Sequence, residues 1–430
     1  MTTTILPLLQ IVEKSDPPTT GHYVVLTIVK IIVGFTIYML GAAILTYTER
    51  RLCAWMQDRR GPNRVGWHGL LQFVADGVKN FMKEETYPNF ANKAMFVLAP
   101  MMAFVPALLV WSVIPFASPY DSPWGRVEMV VAPLPIGFLF VLAIGSLGVY
   151  GIVMAGWSSN NKYALLGGLR SSAQMVSYEI AMGMSTIPVL LLAGNVSMSQ
   201  IVAQQAAHGF NWNVLNLTVA FFIFLVSALA ETNRLPFDLP EAESELIAGY
   251  HSEYSAMKFS LFFIAEYCNM ITASAMLATL FFGGWDIPGT WDTAPFTGLK
   301  TLATFVFFMM KVGFFIFVWM WLRWTLPRFR YDQLMSLGWK VLLPMALGYI
   351  VVVASALLGL EAAGIHPGSW PFMGAMVVLN VILVILLFYV FDRGRIISPA
   401  YSRMDRRNLD KLRRAAIDRT RFVPATEGGD

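Results

Sequence analysis

The chain has 430 residues, of which 56% are hydrophobic and 13% charged, and its formal net charge is +4. An average soluble domain carries about 25% charged residues, so this composition excludes a string of soluble domains, a disordered chain and a collagen-like chain. Two cysteines, Cys53 and Cys268, exclude a disulfide scaffold and have no metal-ligand spacing around them. What remains is an all-α polytopic membrane protein.

A membrane helix needs about 20 mostly apolar residues. Stretches of that kind lie near 22–48, 94–116, 133–157, 171–193, 213–231, 255–283, 301–323, 339–360 and 371–391, so about nine spans are expected. The first is too long for a signal peptide, its basic residues follow it, and no small-residue cleavage site ends it. Lys30 lies close enough to one end of that span to snorkel and reads as structural.

The loop after span 1 carries Arg50, Arg51, Arg59, Arg60, Arg64, Lys79, Lys83 and Lys93. Within it Trp67, Leu70, Leu71, Val74, Val78 and Phe81 recur at helical spacing. That pattern predicts an amphipathic helix lying at the membrane surface. Loops after spans 3 and 7 also carry basic residues, that after span 5 carries Arg234, and the tail from Arg393 to Arg421 is the most basic segment. By the positive-inside rule the N-terminus is expected outside and the tail in the cytoplasm. The net charge then follows from topology, and nucleic-acid binding is not expected.

Loops on the other side look plain: 194–212 is polar and small, and 284–300 reads as a turn-rich surface excursion. The loop after span 5 is different. It holds Glu231, Asp238, Glu241, Glu243, Glu245 and Glu253 against one arginine, Arg234, with Pro236 and Pro240 interrupting the spacing. Crowded carboxylates repel, so some are expected to hold protons near neutral pH, as a proton relay requires. The ligand order of a calcium loop is absent.

Ionisable residues inside spans are functional candidates by default. Glu179 lies in span 4, Glu266 in span 6 and Lys311 in span 7. A plain alternative is a Glu266–Lys311 ion pair holding helices together. Glu231, Glu179 and Glu266 could otherwise join the acidic loop to the middle of the membrane. No Walker A pattern, dinucleotide fingerprint or metal cluster accompanies them. The expected chemistry is therefore proton handling beside a cavity for something lipid-like, with no cofactor on this chain.

Several blocks, in order, resemble one family. They are Thr48-Glu49-Arg50-Arg51, Arg60-Gly61-Pro62-Asn63, Gly156-Trp157-Ser158-Ser159-Asn160, Ser177-Tyr178-Glu179, the run from Ala230 to Tyr254, Ala265-Glu266-Tyr267 and Pro327-Arg328-Phe329-Arg330-Tyr331-Asp332-Gln333. The chain resembles the H subunits of proton-translocating NADH–quinone oxidoreductase, respiratory complex I, the bacterial counterparts of mitochondrial NADH dehydrogenase subunit 1. The resemblance implies the membrane side of a quinone chamber at the junction with the peripheral arm. By it Glu49, Arg50, Arg60, Arg234, Phe237 and Asp238 belong to that chamber and junction. Glu179, Glu231, Glu241, Glu243, Glu245 and Glu266 belong to a proton-coupling path.

It also implies quinone as substrate, with flavin and iron–sulfur clusters in partner subunits. Expected partners are the peripheral-arm quinone-site and terminal iron–sulfur subunits, the small membrane-arm subunits, the antiporter-like subunits and membrane lipids. The membrane would be the bacterial inner membrane. The family core has eight spans, so residues 1–360 would form that core, 361–391 an added span and 392–430 a basic tail. Related subunits of membrane-bound hydrogenases generally lack the run Phe237 to Leu246, which favours the quinone branch. A self-sufficient transporter would show inverted repeats, and none is evident between the halves.

Overall fold

The computed structural model describes residues 20–122, 125–206, 211–239, 248–289 and 296–391. Glu241, Glu243, Glu245 and the basic tail lie outside these residues. Among the described residues eight helices are long and apolar enough to cross a membrane. They are α1 (Thr20–Met56), α3 (Lys93–Val110), α4 (Gly137–Ser158), α5 (Lys162–Ala193), α9 (Ala256–Phe281), α10 (Gly298–Thr325), α12 (Leu343–Ala362) and α13 (Trp370–Phe391). A short helix, α11 (Tyr331–Leu337), runs into α12 through a π-helical turn at Gly338–Leu342. Two compact units are distinguished, one ending at Met376 and one beginning at Val377. The site described below belongs to the first.

The fifth expected span differs from the other eight. It is divided into α7 (Asn213–Asn216) and α8 (Thr218–Glu231), broken at Leu217 where φ is −135° and ψ 46°. At 1.5 Å per residue α8 is about 21 Å long, short of a hydrocarbon core of about 30 Å. Asn213 and Asn216 are buried there, and Asn213 Nδ2 donates to Leu280 O at 2.8 Å. Polar side chains that bond backbone at this depth stop the helix from continuing as a plain span.

The surface helix also starts later than its apolar spacing suggests. Residues 67–69 form a single 3-10 turn, and α2 spans Gln72–Met82. Gly69, at φ +82°, turns the chain so tightly that a Cβ there would collide with the Pro62 carbonyl. No residue of α2 is buried, and Val74, Val78 and Phe81 of its apolar face are exposed among the described residues.

Hydrogen bonds gather the loops into two groups. On the basic-loop side Asn92 N donates to Ser158 O, Asn161 Nδ2 to Glu253 Oε1, Thr86 N to Ser255 Oγ and Phe329 N to Pro236 O. On the opposite side Lys30 Nζ donates to Val130 O, Asp121 N to Phe296 O and Trp212 Nε1 to Asp286 Oδ2. A short antiparallel hairpin, β1 (Tyr120–Ser122) with β2 (Gly125–Val127), lies in this second group. Helix α6 (Met198–Ala206), which follows α5, joins the same group through the bond from Gly283 N to Gln205 Oε1. Helix packing is close where Gly151 of α4 meets α3 and where Gly156 meets α5, since a Cβ would lie 2.6 Å from Ala103 N at the first and 2.6 Å from Ala164 O at the second. Small residues let helix backbones approach in a membrane.

Candidate functional site

The loop leaving α8 is shaped by groups that hold it from outside. Gln174 of α5 is fully buried, and its Nε2 donates to Ala230 O at 2.7 Å and to Phe237 O at 2.8 Å. One amide thus closes both ends of the turn that presents Arg234. Phe237 stacks on Phe329 with centroids 5.5 Å apart and meets Tyr178 at 5.8 Å. It is 4% exposed, so it anchors the loop in packing. Asp238 is held by Arg328 Nη2 at 3.1 Å. About two turns earlier in α5, Gly167 has no room for a Cβ because the Gly249–Tyr250 backbone lies against it.

Arg234, held in this way, enters a buried charge cluster. Its Nη1 lies 2.8 and 3.0 Å from the two oxygens of Glu49, and its Nε forms an ion pair with Glu266. The Tyr267 hydroxyl donates to Glu49 Oε2 at 2.8 Å, and the Tyr267 ring lies 4.5 Å beneath the Arg234 guanidinium. Arg323 of α10 also bonds Glu49. Glu49 and Arg234 are 5% and 8% exposed. Two carboxylates therefore face two guanidiniums where solvent screening is weak, and charge-assisted pairing fixes their geometry.

This cluster forms one wall of a cavity of about 590 Å³ on the basic-loop side. Arg59, Arg60, Gly61 and Pro62 line it from the turn after α1, and Arg50, Leu235 and Asp238 also face it. Arg50 makes an exposed 2.6 Å pair with Asp76 of α2, joining the surface helix to α1. Of the residues expected around a quinone chamber, Glu49, Arg50, Arg60, Arg234 and Asp238 line this cavity. Phe237 is absent from its wall and packs behind the loop.

The expected acidic path divides into two groups. Glu266 belongs to the arginine cluster. Glu179 and Glu231 are half-buried and near enough for their charges to interact, and Glu231 Oε1 lies 3.8 Å from where a Cβ on Gly145 would sit. Glu231 and Arg234 stand three residues apart at the start of one loop, so that turn links the groups. Arg234 is not the sole base of the region: Arg323 and Arg328, from elsewhere in the sequence, neutralise Glu49 and Asp238. The Glu266–Lys311 pair is not formed. Lys311 instead bonds the backbone carbonyls of Phe282, Gly284 and Asp286 on the opposite side.

A second contact set fixes the loops around the site. Lys258 Nζ bonds Glu85 Oε2 at 2.7 Å and lies 3.5 Å from the centre of the Tyr87 ring. The hydrogen bond from Lys258 holds the Glu85 carboxyl below the usual carboxylate range. Tyr254 stacks on Phe96 at 4.0 Å, and burial pushes its hydroxyl up to about 12.

Sequence reasoning missed Tyr267, Arg323 and Gln174 as parts of the site. Tyr267 follows Glu266 in the Ala-Glu-Tyr block, which is a usable signal. Arg323 sits at a span end, where a basic residue is the ordinary anchor. Gln174 carries no charge and no motif weight. The start of the stretch 284–300 differs from its reading as a surface excursion: Trp285 and Asp286 are buried, Asp286 fully, where Asp286 bonds Trp212 and Lys311.

A family model described as NADH dehydrogenase matches residues 29–354. Curated relatives agree with it. The H subunit of NADH-quinone oxidoreductase from Rhodospirillum rubrum is 53% identical over 321 residues, covering 74% of this chain and 90% of the relative. Its namesake from Rickettsia bellii is 52% identical over 328 residues, covering 76% and 92%. An H subunit from Cytophaga hutchinsonii is 48% identical over 324 residues, covering 75% and 94%.

Proposed function

The chain belongs to the NADH dehydrogenase family as an H subunit of complex I, and from that premise we propose that its cavity is the membrane side of a quinone chamber. The observation that carries this reading is the cavity itself, walled by Glu49, Arg234, Glu266, Tyr267 and Arg323 and rimmed by Arg59 and Arg60. Quinone reduction takes up two electrons and two protons. Electrons come from an iron–sulfur cluster in a partner subunit, and this chain supplies binding and charge. Arginine and tyrosine donors suit the oxygens of a reduced, negatively charged quinone. Adding such an anion beside a balanced cluster perturbs the Glu49–Arg234–Glu266 pairing at little screening cost.

The turn from Arg234 back to Glu231 then carries the change to Glu231 and Glu179. Glu241, Glu243 and Glu245 belong to the same coupling path by family resemblance. In this reading the chain couples quinone reduction to proton translocation without a redox cofactor of its own. It sits in the bacterial inner membrane, with the basic loops on the cytoplasmic side. Its partners are the quinone-site and iron–sulfur subunits of the peripheral arm and the neighbouring membrane-arm subunits.

The test is affinity purification of the tagged chain in mild detergent, with the eluate assayed for NADH-dependent quinone reduction. Co-purified flavin and iron–sulfur partners with that activity support the reading. An intact assembly that ignores NADH and evolves hydrogen overturns it.

A further inference from the structure

A second cavity, of about 220 Å³, runs between α1, α9 and α10 and shares no residue with the first. Gly34 and Gly41 of α1, Ile271 of α9, Phe308 and Gly313 of α10 and Trp111 line it. A side chain at Gly34 would collide with the Trp111 ring, so that glycine lets the indole lie against α1. The indole stacks on Tyr38 with centroids 5.7 Å apart. The Tyr38 hydroxyl donates to Cys268 O at 2.8 Å, and Thr272 Oγ1 lies 2.8 Å from it, so both hydroxyls are already bonded. The remaining lining is mainly apolar, which suits a hydrocarbon ligand.

From Gly34 to Leu45 α1 rises about 16 Å, and α10 rises as far from Phe305 to Ile316. One leaflet of a hydrocarbon core of about 30 Å is about 15 Å deep. The groove therefore has the length of one extended acyl chain. Ile37 and Met309 on its wall are exposed among the described residues, so it opens sideways. Towards the basic loops α1 and α10 join directly, where Arg323 bonds Glu49 and Trp324 Nε1 donates to Cys53 Sγ at 2.8 Å.

Lys30 caps the other end of the groove, one helical turn before Gly34 on the same face of α1. Its Nζ donates to Glu128 O at 3.2 Å and Val130 O at 2.9 Å. An ammonium has three hydrogens, and the third has no acceptor among the described residues. The segment that receives Lys30 also rests on the groove: Phe116, which lines it, donates its N–H to Met129 O at 3.1 Å. Glu128 is exposed, and its carboxylate is near enough for its charge to act on Lys30. A phosphate suits the remaining ammonium hydrogen, yet a bare phosphate there is repelled by Glu128. A phosphoethanolamine headgroup satisfies both charges, because its phosphate accepts from Lys30 and its ammonium donates to the carboxylate. The quaternary ammonium of a choline headgroup has no hydrogen to donate.

We propose that this groove is a binding site for one phosphatidylethanolamine molecule, with its headgroup between Lys30 and Glu128 and one acyl chain along the seam of α1, α9 and α10. The lipid completes, in the leaflet opposite the basic loops, the packing that Glu49–Arg323 and Cys53–Trp324 supply at the other end. The site is separate from the cavity beside Arg234 and does not depend on what that cavity binds.

The experiment places the assembled complex in nanodiscs containing a phosphatidylethanolamine with a diazirine in its acyl chain. After illumination, adducts are mapped by peptide mass spectrometry. Adducts are expected on 34–45 and 305–316 several-fold above those on the lipid-exposed helix α13. Unlabelled phosphatidylethanolamine is expected to compete several-fold better than phosphatidylglycerol or phosphatidylcholine. Lys30→Gln keeps a donor for the backbone carbonyls but removes the charge, and the adducts should fall several-fold. Glu128→Gln, at an exposed position, should let phosphatidylglycerol compete as well as phosphatidylethanolamine. Gly313→Leu fills the groove, since a Cβ at Gly313 meets nothing within 4 Å, and should remove the adducts while NADH-dependent quinone reduction persists. Labelling no stronger than on α13 overturns the site. Equal competition by the three phospholipids overturns the headgroup assignment, and displacement by quinone in place of phosphatidylethanolamine assigns the groove to an isoprenoid tail and overturns the proposal. Where Lys30→Gln does not assemble, the competition on the unaltered complex and the Gly313→Leu variant decide.

Discussion

Arg234 and Lys311 are both buried cations in one helical bundle, and their partners differ in kind. Arg234 is held by two carboxylates on α1 and α9 beside an open cavity. Lys311 is engaged by three backbone carbonyls of a closed turn. Carboxylates exchange protons and change charge, whereas peptide carbonyls do neither. The first environment can respond to a substrate and the second is fixed. The contrast shows why buried charge alone does not mark a working site: the partners decide what the charge can do.

The strongest way to break the contrast is to remove Glu49. Breaking a buried pair from one side costs about 3–5 kcal/mol because the remaining charge stays buried. Glu49→Ala leaves both Arg234 and Arg323 without that partner. The expected outcome is loss of most assembled complex, measured by quantitative blotting of membranes. The fraction that assembles should show quinone turnover depressed at least about 10-fold, as a buried pair worth more than about 1.4 kcal/mol implies. Normal assembly and turnover would show that the cluster is ornamental.

Glu179→Gln sharpens the comparison from the acidic side. The side chain keeps its shape and loses its proton site. Assembly is expected to be normal, while the ratio of protons pumped to NADH oxidised falls. A variant that reduces quinone and pumps at the unaltered ratio removes Glu179 from the coupling path.

Much of this site was legible in the sequence because charged residues inside apolar spans are rare and therefore conspicuous. Glu266 stands out that way, Arg234 as the one arginine of an acidic loop and Glu49 only through the family's motif, and the structure brings the three together. Pairing was the illegible part. Arg234 reaches Glu49 across 185 positions, and nothing in either local pattern chooses Glu49 over the other carboxylates. The helices themselves follow from apolar length, which is why eight of nine spans appear close to their expected positions. The broken fifth span and the late start of α2 depend on Asn213 and Gly69. Their effects come from neighbours distant in sequence, Leu280 and Pro62.

A smaller effect is expected from Gln174→Leu. The change keeps the volume and strips hydrogen bonds from two buried carbonyls, Ala230 and Phe237. An unsatisfied buried polar group costs about 1–3 kcal/mol. The loop 231–239 should then exchange amide hydrogens faster than in the unaltered complex, while α3 and α4 exchange as before. Quinone turnover should fall less than with Glu49→Ala, because Arg234 retains its carboxylates. Unchanged exchange in that loop would mean its shape is set by the Phe237–Phe329 stack alone.

The smallest effect concerns the clasp between Lys258 and Glu85, neither of which lines the cavity beside Arg234. The Lys258 hydrogen bond depresses the Glu85 carboxyl below its ordinary value. A depressed acid stabilises the folded state fully above the ordinary carboxylate value, and that contribution disappears as pH falls through the depressed one. Between neutral pH and about pH 5 the tether should therefore hold, given an ordinary Glu near about 4.3. In stronger acid the segment 83–92 should loosen, seen as faster amide exchange after correction for the intrinsic rate. Glu85→Gln should abolish that acid-dependent step and leave quinone turnover at neutral pH nearly unchanged, since Glu85 lines neither the cavity nor its charge cluster. A Gln variant that still loosens with the same acid midpoint would assign the step to another carboxylate. Glu253 would then be the group to replace next, because its oxygen accepts from Asn161 at 2.7 Å on the neighbouring loop.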